Sequence, residues 1–144
     1  MSDPYDARVV LKDGMHFEAT TRKGAGHTIA LDTDPEVGGR GLGTRPFDLM
    51  LVSLAGCMAM DVISILRKKR QTVNGLEVRA QGTRAAEHPR VYTHIRLTFV
   101  ITGQDVEPAA VERSIELAYD KYCPAAAMLK PSVPIETEYQ IIEG

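Results

Sequence analysis

Two cysteines, Cys57 and Cys123, are the only sulfhydryls of the chain and stand sixty-six residues apart. Such a pair points to chemistry that runs through sulfur. Cys57 lies in PFDLMLVSLAGCMAMDVISIL and Cys123 in YDKYCPAAAML, so neither belongs to a CxxC pair and only folding can bring them together. Around Cys57, the residues Ser53, Asp61 and Ser64 complete steps of four, four and three, the spacing that puts side chains on one helix face. Two readings of this stripe stand. Either the serines bond to carbonyls of their own helix while Asp61 caps a backbone donor elsewhere, or the stripe lines a site. In the second case Asp61, one turn from Cys57, opposes a thiolate and calls for an arginine nearby. Cys123 precedes Pro124, and if that proline opens a helix, Cys123 is its N-cap, where unpaired N–H groups favour a thiolate. Judged locally, Cys123 is the more acidic thiol. A small, buried structural cysteine is the competing reading at both positions.

These residues need elements to hold them. Residues 7–31 read as strands: ARVVLK and MHFEAT flank Asp13-Gly14, a type I′ hairpin dipeptide, and HTIALD follows. Asp32 to Thr44 carries a proline and four glycines and reads as a loop, the most mobile-looking segment of the chain. A helix is predicted from Pro46 to about Arg70, roughly 36 Å long, with Arg67, Lys68, Lys69 and Arg70 set against the negative end of its dipole. Its apolar residues point nearly all round, so one sheet cannot cover it and a second chain is expected to supply the rest. GLEVRAQGTRA and VYTHIRLTFVIT form a hairpin through Glu87-His88-Pro89-Arg90, with Val91, Ile95, Leu97, Phe99 and Ile101 on one face. Pro108 opens a helix whose Val111, Ile115, Ala118 and Tyr122 share a side. That helix must yield at Cys123, because a residue before proline avoids helical angles. Pro124 starts a third helix, AAAMLK, and VPIETEYQII closes the chain as a strand. The order βββ-α-ββ-α-α-β is an α+β fold, expected as a single domain over residues 1–144.

At 44% hydrophobic and 25% charged residues, with a net charge of -2, the composition is that of an ordinary globular chain without the basic excess that nucleic acid attracts. The start MSDPYDARVV has no cationic segment before an apolar core, and no apolar run continues uninterrupted for eighteen residues. No signal peptide and no membrane partner are therefore expected, and the chain is assigned to the cytoplasm, where a cysteine pair is more often redox, catalytic or metal-binding than a permanent staple. His16, His27, His88 and His94 show no ligand spacing, and a zinc site on two cysteines would need distant His or carboxylate partners. No metal or other cofactor is assigned. GGRGLG matches neither a dinucleotide fingerprint nor a phosphate loop and is read as a plain flexible loop, and RKKR as a solvated helix end.

RPFDLMLVSLAGCMAMDVISILRKKRQ, followed by YDKYCPAAAMLK, resembles the OsmC/Ohr family (osmotically inducible protein C and organic hydroperoxide resistance proteins), in particular its YhfA-like branch. The resemblance covers almost the whole chain. It is most specific in the first cysteine within a long apolar helix and in the tyrosine and second cysteine that close another. It implies an OsmC-like fold, an intertwined homodimer with each site assembled from both chains, and a thiol-dependent peroxidase of oxidative-stress defence that reduces organic hydroperoxides. By the resemblance Cys57 is the peroxidatic and Cys123 the resolving cysteine, the reverse of the local acidity argument, and a dithiol reductant, lipoyl-type in relatives, reopens the disulfide. The apolar surroundings of Cys57 suit organic hydroperoxides better than strongly hydrated hydrogen peroxide. Family enzymes also use an arginine held by a glutamate near the start of the central helix. Asp48 stands where that carboxylate is expected, though shorter, and Arg22, Arg40 and Arg45 all qualify by region; Arg22 joins Cys57, Cys123 and Asp48 as the expected catalytic set. The alternative is a noncatalytic OsmC-like dimer that binds a small apolar ligand or senses oxidants.

Overall fold

A computed structural model of the chain describes residues 7–21 and 27–144, so Arg22 lies outside the described residues. The elements follow the expected order. By their contacts they divide into two compact units, Met1–Met50 and Leu51–Gly144.

In the first unit β1 (Ala7–Asp13), β2 (His16–Thr21) and β3 (Ile29–Leu31) form an antiparallel meander. Its first turn differs from the type I′ expectation. Asp13 pairs with His16, which leaves Gly14-Met15 as the loop, and of these two only Gly14 has positive φ, at 53°. A type I′ turn needs positive φ at both central residues, so the hairpin closes in the II′ manner with glycine first. Every residue of β1 is exposed, Val9 and Leu11 each by 54%.

The segment 32–44, read from its glycines as mobile, is tied down. Asp32 is buried, and its carboxylate accepts the Thr33 N–H at 2.8 Å and the Leu42 N–H at 3.1 Å. The Thr33 N–H, foremost, holds the Asp32 carboxyl below its usual 3.8 against the opposing effect of burial, with help from the Leu42 N–H. A 3₁₀ turn, Pro35–Val37, sits within the loop. A Cβ on Gly39 would stand 2.0 Å from the Thr33 carbonyl oxygen, so that glycine serves close packing rather than freedom.

Helix α1 runs from Asp48 to Lys68, two residues inside the predicted limits at each end. Pro46 does open it, through a tight turn in which Asp48 and Leu49 donate to the carbonyls of Arg45 and Pro46. Arg70 closes it in the left-handed region at φ 59°, where the Gln71 N–H reaches the Leu66 carbonyl at 3.0 Å. By length and composition α1 could cross a membrane, with a mean hydropathy of 2.2. Its stripe Leu54, Met58, Val62 and Leu66 is instead fully buried in protein, while Val52 and Met60 stay 60% and 74% exposed.

In the second unit β4 (Thr72–Arg84) pairs antiparallel with β5 (Tyr92–Gln104), and β5 pairs in parallel with β6 (Ile135–Glu143) from Ile95↔Ile135 to Gly103↔Glu143. A parallel pair needs a crossover. Here α2 (Pro108–Leu117), a π-helical turn (Ala118–Tyr122) and α3 (Pro124–Leu129) supply it. Ile95, Leu97, Phe99 and Ile101 are fully buried as predicted, whereas Val91 falls outside β5 and is half exposed, its place taken by buried Tyr92. Gly82 of β4 leaves room for the Tyr92 ring, which would stand 2.5 Å from an added Cβ, and Leu51 of α1 reaches the same spot. Replacing Phe99 by Ala should cost about 3–5 kcal/mol, seen as a lower urea midpoint with little change in slope.

Candidate functional site

The site begins with a backbone constraint. Pro124 occupies the first position of α3 and holds Cys123 at φ -80°, ψ 108°, outside the helical region, as predicted. The preceding helix ends in a π turn whose closing bond runs five residues back, from the Cys123 N–H to the Ala118 carbonyl at 2.8 Å. That wider turn rotates the last residues. Val111, Ile115 and Ala118 are buried as expected, but Tyr122 is 51% exposed. Cys123 is the N-cap of α3, its Sγ accepting the Ala126 N–H at 3.3 Å.

On α1, Cys57 and Asp61 stand one turn apart on one face, both partly buried. The Cys57 and Cys123 sulfurs and one Asp61 carboxylate oxygen all lie within 4.8 Å of one another. Two thiols remote in sequence therefore meet, and both are free. Asp61 does more than share a stripe: its Oδ2 is buried and has no hydrogen-bond partner among the described residues, so this oxygen caps none of their backbone donors. Beside it opens a cleft of about 370 Å³ lined by Asp61, Ser64, Lys68, Lys69 and Tyr122 among others. Ser53 and Ser64 are exposed. A groove of comparable size between α2 and β6, lined by Glu112, Glu116, Asp120 and Glu138 among others, contains none of the catalytic candidates read from sequence.

The acidity argument for Cys123 is reversed. Burial, foremost, pushes its thiol from 9.0 up to about 11; the Ala126 N–H pulls the other way, and hydrogen bonding and charge from Cys57 add to the rise. The sequence exposes the cap but not the burial, and a thiolate 3% exposed gains less from one N–H than it loses in hydration.

In the first unit, Asp48 grips Arg45 with two bonds, Nε to Oδ2 at 2.9 Å and Nη2 to Oδ1 at 3.2 Å. Asp34 takes Nη1 at 3.2 Å, a partner missed from sequence although it stands just before Pro35. Asp48, then Asp34, raise the Arg45 pKa and keep the guanidinium charged. Arg40 pairs instead with Asp13.

Residues 38–138 match the OsmC-like protein family. The chain belongs to the OsmC-like family. Among curated relatives it is 39% identical over 137 residues to Protein YhfA of Escherichia coli (strain K12), covering 94% of this chain and 97% of that one. Among solved structures it is similar to a hypothetical protein of Aquifex aeolicus VF5, at TM-score 0.85 and 29% identity, covering 99% of each chain. It shares its fold with the organic hydroperoxide resistance protein OsmC of Legionella pneumophila, at TM-score 0.68 and 14% identity over 96% of this chain and 97% of that one. The OsmC-like fold expected from sequence is thus present in this family member.

The folded protein holds the Cys123 proton more tightly than the unfolded chain does. Its contribution to stability is full below pH 9.0 and is lost as pH rises toward about 11. Thiolate absorbance should accordingly show a Cys123 step near pH 11, absent in Cys123→Ser and lowered in Cys57→Ser. The wild type should lose more melting temperature over that window than Cys123→Ser, and a Cys123 step at or below 9.0 would contradict the burial argument.

Proposed function

We propose that this OsmC-like protein is a dithiol-dependent thiol peroxidase that reduces organic hydroperoxides as part of oxidative-stress defence. The carrying observation is the approach of the Cys57 and Cys123 sulfurs to within 4.8 Å, with Cys57 the less buried of the two. Relatives of the same fold named for organic hydroperoxide resistance support the substrate class.

In the reaction, the Cys57 thiolate attacks the terminal hydroperoxide oxygen and the O–O bond breaks. The alkoxide leaves and takes a proton to become an alcohol, and Cys57 becomes a sulfenic acid. The Cys123 sulfur then attacks the Cys57 sulfur; its proton and the sulfenic hydroxyl leave as water, and a disulfide forms. A dithiol, lipoyl-type by family resemblance, reduces the disulfide and is itself oxidised to a disulfide. The burial of Cys123, which pushes its thiol up, against the more open Cys57 supports this division of roles. The first step needs a cation for thiolate and leaving oxygen. Arg22 and Arg45 both remain in that role from the sequence, and the two-bond grip of Asp48 favours Arg45.

The reading includes a homodimer, which would cover the exposed apolar side chains Val52 and Met60 of α1 and Val9 and Leu11 of β1. It also includes a cytoplasmic location, where dithiol reductants keep the pair reduced. A second reading, a noncatalytic dimer that senses oxidants or holds a small apolar ligand, draws on Asp61, one carboxylate oxygen of which lies within 4.8 Å of both sulfurs.

Consumption of cumene hydroperoxide with excess dithiol separates the two. Wild type should turn over, Cys57→Ser should abolish loss of peroxide, and Cys123→Ser should stop after one oxidation with Cys57 as sulfenic acid. Arg45→Ala should slow the first step by about 10²–10³-fold, with Arg22→Ala run in parallel. Slow loss unaffected by Cys57→Ser would remove the enzyme reading.

A further inference from the structure

From the sequence, two cysteines lack the further donor that a zinc site requires. The fold brings one, because Asp61 places a carboxylate oxygen within 4.8 Å of both sulfurs. We propose that the reduced Cys57–Asp61–Cys123 cluster is a binding site for a thiophilic divalent cation, zinc being the best fit.

The donor set carries the choice of metal. Sulfur ligands select zinc and its soft neighbours over magnesium and calcium, and two thiolates with one carboxylate leave a fourth tetrahedral position for water or a ligand. With Zn–S near 2.3 Å and Zn–O near 2.0 Å, tetrahedral geometry puts donors about 3.5–3.8 Å apart. Donors already within 4.8 Å need to close by only about 1 Å. The independent sign is Asp61 Oδ2, a buried carboxylate oxygen without a hydrogen-bond partner among the described residues. Buried polar atoms are seldom left so, and a cation held by the same carboxylate and the two neighbouring sulfurs would supply the missing partner. Cys57 and Asp61 come from adjacent turns of α1, which sets two donors on one rigid element, while Pro124 and the Ala126 N–H fix the third. Binding replaces the two thiol protons by the metal, so protons are released and affinity rises with pH. A disulfide offers no thiolates, so oxidation of the pair would expel the ion. The site needs both reduced sulfurs but not peroxide turnover.

Reduced protein titrated anaerobically with Co²⁺, and then with Zn²⁺ to displace it, gives the test. One equivalent of Co²⁺ should produce the visible bands of a tetrahedral site and a thiolate-to-cobalt charge-transfer band, and Zn²⁺ should erase both. Cys57→Ser and Cys123→Ser should each halve the charge-transfer intensity, and the double variant should abolish it. Asp61→Asn, nearly isosteric and checked for fold by circular dichroism, should weaken Zn²⁺ binding by about 10-fold or more. Protein oxidised by diamide, which takes up the two thiol hydrogens as the disulfide forms, should give no band. The proposal is overturned if the reduced wild type gives no charge-transfer band, if the band survives in the double serine variant, if Mg²⁺ displaces cobalt as well as Zn²⁺ does, or if Asp61→Asn leaves the affinity unchanged. No peroxide enters these measurements, so their outcome is separate from that of the peroxidase assay.

Discussion

Proline drives the residue before it out of the helical region, and the site depends on that one restriction. Pro124 forces Cys123 out of the helical region, so the crossover cannot run as one continuous helix. The chain absorbs the break with a π turn, in which the Cys123 N–H finds its acceptor at Ala118. Two things follow together: Tyr122 swings to the surface, and the Cys123 side chain is left as the cap of a new helix, its sulfur held by the Ala126 N–H. A continuous helix would give the sulfur neither the cap nor this direction.

The same position sets two electrostatic effects against each other. A helix N-terminus favours an adjacent negative charge by at most about 2 kcal/mol. Removing an ion from water costs several kcal/mol even after relaxation. With Cys123 nearly sealed from solvent, hydration wins and the sulfur stays protonated. The pair is therefore unequal, with one thiol shielded and the other, Cys57, partly open.

Much of this was legible in the residues. Period-two alternation located Ile95, Leu97, Phe99 and Ile101 because each strand side chain alternates between faces, and the prolines at 46, 108 and 124 marked the helix starts because each fixes φ. What escaped is tertiary. Glycines at 39 and 43 suggested mobility, whereas Gly39 in fact admits the Thr33 carbonyl, and buried Asp32, not the glycines, governs the loop. Helical spacing put Tyr122 with Val111 and Ile115, and a change of period from the α to the π form broke that register. The Asp61 position was singled out by spacing alone. Its nearness to Cys123 depends on how the crossover docks, which no local pattern encodes.

The parallel pairing of β5 and β6 has one more effect. Cys123 lies in the segment that links these two strands, sixty-six residues after Cys57. During synthesis Cys57 leaves the ribosome well before its partner, in a helix whose sheet is still incomplete. Contacts this distant in sequence form late, since the intervening chain must first be ordered. The meeting of the two sulfurs accordingly depends on contacts far apart in sequence, the kind that form late.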